Sequence, residues 1–494
     1  MIEKEGILII MRKLLKDKKI YLFFIITIAF FGIFVHQQFT TDTYAVLEES
    51  GRKILANFLQ SGRIVTALLF IGIKLLKIPF SLSYLLSYIM AIFAITFSIY
   101  KLYYLLKNEF VKNELIAILV SVLAIINPFS IELFLYIEKG VMTLAILFSV
   151  LAVDEFVKSL KNKTKKKNFI LSIVYMCLSI FCYQGVVAIY IILATLFVIK
   201  YSKNTKEFII NTLKSLVIYG IPALINVFVV KFIFVGSRVN GNINFAESMA
   251  KIKHGIFSMF ETYNILPKYF FISMFLILFT IAIMECIRNS KHKIISIIGL
   301  VYLDVVIVAS TIAPFIMQNS ASIWFVSRST YGFASILAIQ IVYIFMYIDK
   351  DKVIEYLIIM LSIIVLALTF YRFIKIEIDH YILNYEDKTI CQNIGKKINE
   401  YEENTGIKVN KISLYKDKNV RYSYKNLFVS GDINITCFVT AWSDANAICY
   451  FNNIKLEKVD KNNNLKEYFN KKDWDDFNDE QIIFENDTVN ICVF

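Results

Sequence analysis

The chain has 494 residues, 57% of them hydrophobic, 15% aromatic and only 19% charged, with a formal net charge of +13. Soluble globular domains run at roughly 45–50% apolar and about 25% charged residues, so a simple soluble enzyme is excluded. Disordered chains are polar and poor in aromatics, and collagen-like or linker-rich chains carry far more than five prolines and 16 glycines, so those classes fall too.

What remains is an all-α polytopic membrane bundle. Its apolar runs, such as 21–35 and 82–106, are continuous, whereas barrel strands are about ten residues long and alternate. The positive charge does not point to nucleic acid, because the lysines cluster between apolar segments, where cytoplasmic loops carry them. The seven cysteines follow no CxxC spacing, which argues against a zinc ribbon or a thioredoxin-like site. Cys177, Cys182 and Cys286 sit in apolar runs as packing residues. Cys391, Cys437, Cys449 and Cys492 fall in the polar tail, where their number leaves room for one disulfide.

In chain order, the run MRKLLKDKK at 11–19 precedes the first apolar stretch and is cytoplasmic by the positive-inside rule. No small-residue cleavage site follows, which argues against a signal peptide. The first helix exits near His36. The run KSLKNKTKKK at 158–167 is the strongest inside marker, with weaker ones at 200–206, 288–293 and 349–352. Between inside markers the chain crosses an even number of times. That predicts helices near 82–106, 114–127 and 140–157, with an outside turn at 127–139. Two short helices then divide 169–199 about an outside turn at Tyr183-Gln184-Gly185. Further helices follow near 208–234, 269–287, 294–313, 329–348 and 355–374.

The stretch 64–78 breaks this parity if it crosses. It is therefore read as an interfacial or re-entrant helix in a long first outside loop, 36–81, with Lys74 and Lys77 at the headgroups. The expectation is about eleven crossings in a transmembrane domain 1–374, N-terminus inside and C-terminus outside. Residues 375–494 turn polar and read as a small extracytoplasmic α/β domain. A helix over 389–405 is stopped by Gly406, and strands are predicted at 407–415, 433–439 and 488–494. No internal repeat is found, which weighs against an inverted-repeat transporter.

Ionisable groups at membrane depth or at outer helix ends are costly and therefore informative. The outer side collects Asp42, Glu48, Glu49, Arg52, Arg63, Glu132, Glu138, Lys139, Arg238 and Arg328, while Asp304 is the main charge in mid-helix, with no assigned partner. Asp42, in Thr40-Thr41-Asp42-Thr43-Tyr44, reads either as a general base for a sugar hydroxyl or as the cap of a helix from Thr43. Arg63, after Gly62, reads as a lipid-phosphate ligand or as a snorkelling side chain. The loop Asn127-Pro128 to Tyr136-Ile137-Glu138-Lys139-Gly140 offers Glu138 to orient the acceptor and Lys139 for phosphate, or is a solvated turn. Tyr183-Gln184 reads as a sugar contact or as part of an aromatic belt. Arg328, in Val326-Ser327-Arg328-Ser329-Thr330, reads as an anion ligand at a helix start or as a surface anchor. Nucleotide-binding, HExxH and GxSxG motifs are absent, and four scattered histidines argue against a His-based metal site.

The order of these motifs resembles a known family. A first helix, an outside Asp42-x-Tyr44, Gly62-Arg63 some twenty residues on, Asn127-Pro128 with Tyr136-x-Glu138-Lys139-Gly140, and then Tyr183-Gln184 resemble the Gtr-type glucosyltransferases that modify surface polysaccharides such as O-antigen, members of the GT-C superfamily. The resemblance covers about 1–374. It implies transfer of a hexose, glucose, from a polyprenyl-phosphate donor on the outer leaflet to a cell-surface glycan acceptor. Asp42 becomes the catalytic base and Glu138 the second acid. Arg63, Lys139 and Arg328 become ligands of the donor phosphate, and Tyr44, Tyr136, Tyr183 and Gln184 line the substrate. It further implies the lipid bilayer, a small flippase and a cytoplasmic-side polyprenyl-phosphate sugar synthase as partners. Many relatives carry paired acids where this chain has Thr41-Asp42, which fits a single base with no metal and no cofactor. The competing expectations are an exporter of lipid-linked saccharide or polysaccharide, a polymerase or ligase, and a non-catalytic scaffold.

Overall fold

The computed structural model describes residues 16–48, 51–161, 165–236, 244–316, 318, 320–348, 351–416, 422–471, 474 and 477–493. Glu49 and Arg238, two of the outer-side charges, lie outside the described residues. The chain divides into two compact units, Met1–Val35 with Leu55–Ile374, and His36–Ile54 with Lys375–Phe494. Residues 36–54, read from sequence as part of the first outside loop of the membrane domain, thus belong to the second unit.

The first unit is built of helices. Their starts follow from short polar side chains just ahead of apolar runs. Asp17 accepts from the Lys19 amide at 3.0 Å, Asn113 from the Leu115 amide at 3.1 Å, and Asn204 from the Glu207 amide at 2.9 Å. Among the described residues eight helices are long and apolar enough to cross a membrane: Lys18–Val35, Phe80–Glu109, Lys139–Lys161, Gln184–Tyr201, Thr205–Ile233, Phe270–Asn289, Lys293–Ile316 and Lys352–Thr405. Large aliphatic side chains cover the outside of this unit, with Leu224 71% and Ile294 74% exposed, whereas serines sit inside. Ser149 and Ser179 bond at 2.8 Å, and Ser172 donates to the Ala152 carbonyl at 2.7 Å, joining Lys139–Lys161 to Lys165–Cys182. Apolar residues outside and small hydroxyls between helices are the pattern of a protein whose solvent is lipid. The chain is a multi-pass helical membrane protein.

Helices also stand at the other predicted places, but three apolar ones are short: Ile64–Leu75, Glu114–Ile125 and Tyr331–Phe345. At 1.5 Å per residue these 12 to 15 residues reach only ~18–23 Å, against ~30 Å of hydrocarbon. Glu114–Ile125 runs instead into a short helix, Ser130–Leu135, every residue of which is buried. Of the two readings of the loop 127–139, the solvated turn does not fit this burial. Asp304 has a partner on a neighbouring helix: the Gln340 amide donates to it at 3.3 Å.

The second unit carries a four-stranded sheet of order β2-β1-β4-β3, with β1 Lys411–Lys416, β2 Glu457–Lys458, β3 Ile482–Glu485 and β4 Thr488–Val493. β1 runs parallel to β2 and β4, and β3 pairs antiparallel with β4. The helix predicted over 389–405 is the last part of Lys352–Thr405 and ends at Gly406, whose φ of +71° suits glycine. The strand expected at 433–439 does not form. Asn434 has a φ of +58°, and Thr436 Oγ1 and the Cys437 amide bond the buried Asp387 carboxylate at 2.6 and 2.9 Å instead of a neighbouring strand.

Candidate functional site

The site is assembled in the first unit from three chain segments. The first is the turn before Ile64–Leu75. Gly62, at a φ of +72°, reverses the chain, and Asn226 leaves no room there for a Cβ. The Asn226 amide donates to the Gly62 carbonyl at 2.8 Å and the Gln184 amide to the Ser61 carbonyl at 3.1 Å. This pinned turn sets Arg63 over the Tyr183 ring at 4.8 Å, with its Nη1 3.8 Å from Glu138 Oε1. The Arg63 Nε is buried and has no hydrogen-bond partner among the described residues. A buried donor left open costs energy, and an arginine Nε is one half of the planar fork that grips phosphate.

The second segment is the internal element 127–139. Asn127 Oδ1 accepts from the Phe129 amide at 3.0 Å, and its carbonyl accepts from Ser130 Oγ at 2.7 Å. This turn starts Ser130–Leu135 and points Glu132 inward, 0% exposed. The third segment is the turn Ser327–Ser329. Its hydroxyl, amide and guanidinium converge on Glu132: Ser327 Oγ, the Arg328 amide at 2.9 Å, and Arg328 Nη1. Arg328 Nη1 also donates to the Tyr136 hydroxyl at 2.5 Å, and its guanidinium lies 4.2 Å over that ring. Gly185 packs so tightly on this turn that a Cβ would stand 2.8 Å from the Arg328 carbonyl oxygen. Arg328 was expected to open an α-helix. It lies in a three-residue 3-10 turn, so its guanidinium, not a helix end, supplies the charge.

Arg63, from the first segment, and Arg328, from the third, line a cavity of about 380 Å³ together with Tyr183, Gln184, Trp324 and Tyr219. Apolar residues such as Ile180, Val227 and Pro314 form much of its wall, beside polar ones such as Gln60, Asn226 and Gln318. Four of the residues singled out from sequence meet here, and two more, Glu138 and Tyr136, touch its arginines. Two cations on a partly apolar cavity can hold an anionic group whose attraction is strengthened by the low-dielectric wall.

Three other residues do not line this cavity. Lys139 is fully buried, donates to the Tyr84 hydroxyl at 2.6 Å and rests 3.9 Å over that ring. It is not among the cavity's lining, so its part is to hold helices together. Tyr44 is 1% exposed in the core of the second unit, stacked on Phe39 at 5.3 Å, which makes it a packing residue, not a substrate contact. Asp42 belongs to the second unit, half-buried in the first turn of Thr41–Glu48. It is not the expected cap, since the helix entry is closed by Thr40 and Thr43, whose hydroxyls bond at 3.0 Å.

Sequence reasoning noted Glu132 as an outer charge but gave it no role, and it passed over Asn226 and Ser327. The signal was present in the first two: each is a polar side chain inside an otherwise apolar stretch, expensive unless it is bonded. Comparison with protein-family models, with characterised proteins and with solved structures gives no match.

Proposed function

We propose that this chain is a membrane-embedded inverting glycosyltransferase. It moves a hexose, glucose by the motif resemblance, from a polyprenyl-phosphate carrier to a cell-surface glycan on the outer face of a bacterial cytoplasmic membrane. The observation that carries this reading is the pair of arginines, Arg63 and Arg328, on one partly apolar cavity with Tyr183 and Gln184. A donor of this kind has an anionic phosphate between a sugar and a hydrocarbon chain. Arginine, tyrosine and amide, and apolar wall answer those three parts in turn.

In the proposed reaction an acceptor hydroxyl attacks the anomeric carbon from the face opposite the phosphate. The new carbon–oxygen bond forms as the bond to the phosphate oxygen breaks, with inversion. The hydroxyl proton passes to Asp42, with Glu138 as the second acid. The leaving polyprenyl phosphate gathers negative charge, which the fixed guanidinium of Arg328 and the open Nε of Arg63 stabilise. The same reading gives the chain a cytoplasmic N-terminus and sets the second unit outside, where it meets the acceptor.

The test is turnover of a defined donor. Purified protein receives a panel of polyprenyl-phosphate sugars and a cell-wall extract, and free polyprenyl phosphate is measured. Wild type is expected to release it. Asp42→Asn is expected to lose release by about 10²–10⁴-fold while still inserting and folding. Equal release by the two proteins removes Asp42 from the mechanism. Transport of an intact lipid-linked saccharide across a vesicle membrane, with no cleavage, supports the exporter instead.

A further inference from the structure

Cys391 and Cys437 lie together in the core of the second unit, 0% and 1% exposed. Their approach is enforced by the groups around them. Asp387 precedes Cys391 by one turn on Lys352–Thr405, and residues four apart on a helix share a face. The same Asp387 carboxylate accepts from the Cys437 amide at 2.9 Å, from Thr436 Oγ1 at 2.6 Å and from the Tyr424 hydroxyl at 2.7 Å. Cys437 is thus held by its own backbone against the helix face that carries Cys391. From the other end, the Asn452 amide donates to the Cys391 carbonyl at 2.8 Å. The two side chains belong to one buried cluster of the core. Cys492 packs elsewhere, with Tyr415, Phe469 and Trp474.

We infer that Cys391 and Cys437 are a disulfide-forming pair, closed in the cell as the second unit folds. The chemistry is a thiol–disulfide exchange. One thiolate attacks a disulfide of the oxidant, a protein or small-molecule disulfide of the extracytoplasmic space, giving a mixed disulfide. The second thiolate then displaces the oxidant's remaining sulfur. Two protons and two electrons leave the cysteines, one sulfur–sulfur bond forms, and the oxidant ends as two thiols. Both thiols lose their access to solvent in the folded core, so the bond closes during folding. The cross-link ties the last part of the long helix to the 436–440 turn across a loop of about 46 residues, which restricts the unfolded chain. The cellular part of the inference rests on the outside placement of the second unit. It does not depend on the transfer chemistry, which donor turnover reads separately.

The experiment traps thiols in intact cells by acid quench, alkylates the denatured full-length protein without reductant, and maps peptides. The expected result is five alkylated cysteines of the seven and one linked peptide joining Cys391 to Cys437. That peptide disappears in Cys391→Ser. Reduction of the purified protein is expected to lower its unfolding midpoint by several degrees. Seven alkylated cysteines in cells overturn the cellular claim, and they place the unit in a reducing compartment if the purified protein, denatured and refolded with oxidised glutathione, still closes the pair. If the pair stays open there too, or a different pair closes, the assignment itself is overturned.

Discussion

Arg328 and Arg63 border the same cavity, yet the chain holds them in different ways. Arg328 is clasped by Glu132, a carboxylate whose side chain is 1% exposed and which also takes the Arg328 amide and the Ser327 hydroxyl. Arg63 faces Glu138 at 3.8 Å, both partly exposed at 20% and 14%, and keeps its Nε open. The first pair is closed on every side that the protein can close. The second is loose enough for an incoming anion to compete for the cation. The lesson is that two arginines on one cavity need not be held alike: one is locked in place by its carboxylate while the other keeps an open donor.

The largest expected effect breaks the tighter pair. Glu132→Ala removes the buried carboxylate that pairs with the Arg328 guanidinium, itself 14% exposed, and removing one partner of a buried pair costs up to about 3–5 kcal/mol. Thermal unfolding of the detergent-solubilised variant, followed by fluorescence-detected gel filtration, should show a large fall in the midpoint. The double variant Glu132→Leu with Arg328→Met should regain much of that loss, because an apolar pair of similar volume removes the unpaired charge. Glu138→Ala should cost no more than about 1 kcal/mol by the same measurement. Equal losses for Glu132→Ala and Glu138→Ala would erase the distinction between the pairs.

The next effect is on transfer instead of folding. Arg63→Ala should slow release of polyprenyl phosphate by about 10²–10³-fold with little change in the unfolding midpoint. Arg63→Lys should restore only part of it, because an ammonium lacks the planar fork. If Arg63→Ala melts far below wild type and its residual folded fraction turns over normally, the loose pair is structural after all.

Much of this was legible in the residues. Continuous apolar runs and lysine-rich loops give away a helical membrane protein, since the cost of burying charge in lipid is paid in composition. Arg63, Tyr183, Gln184 and Arg328 were legible as candidates because polar groups beside apolar runs are costly unless used. What was not legible is which of them meet. Nothing in the string Ser130-Ile131-Glu132 says that its carboxylate will be reached by a turn almost two hundred residues later. Tyr44 looked like a sugar contact because it follows Asp42, but the adjacent Phe39 and the distant Phe451 enclose its ring. The strand expected at 433–439 failed for the same reason: alternation describes a local preference, and a buried Asp387 from a distant helix outbid it.

A smaller effect tests how the tight side is shaped. Gly185→Ala would set a Cβ 2.6 Å from the Tyr183 ring and 2.8 Å from the Arg328 carbonyl oxygen. Overpacking of this kind costs about 1–3 kcal/mol. Because the crowding falls on the backbone of the Arg328 turn as well as on Tyr183, transfer should fall along with the midpoint. A variant that keeps the wild-type midpoint would mean the two segments separate more easily than their contact implies.

The smallest effect sharpens the loose side. Asn226 donates to the Gly62 carbonyl at 2.8 Å, and Asn226→Ala removes one hydrogen bond worth about 1 kcal/mol. The amide touches the chain one residue before Arg63 and is among the residues that line the cavity. Its loss therefore frees the turn that aims the guanidinium without removing any charge. The expected signature is a KM for the donor raised about fivefold, 1.4 kcal/mol being a factor of ten, with kcat changed less. Asn226→Asp should not rescue it, because a carboxylate cannot donate to the Gly62 carbonyl, whereas Asn226→Gln should rescue it in part. If Asn226→Asp binds the donor as wild type does, the Gly62 turn is held by its own backbone, and the looseness of Arg63 lies in its side chain alone.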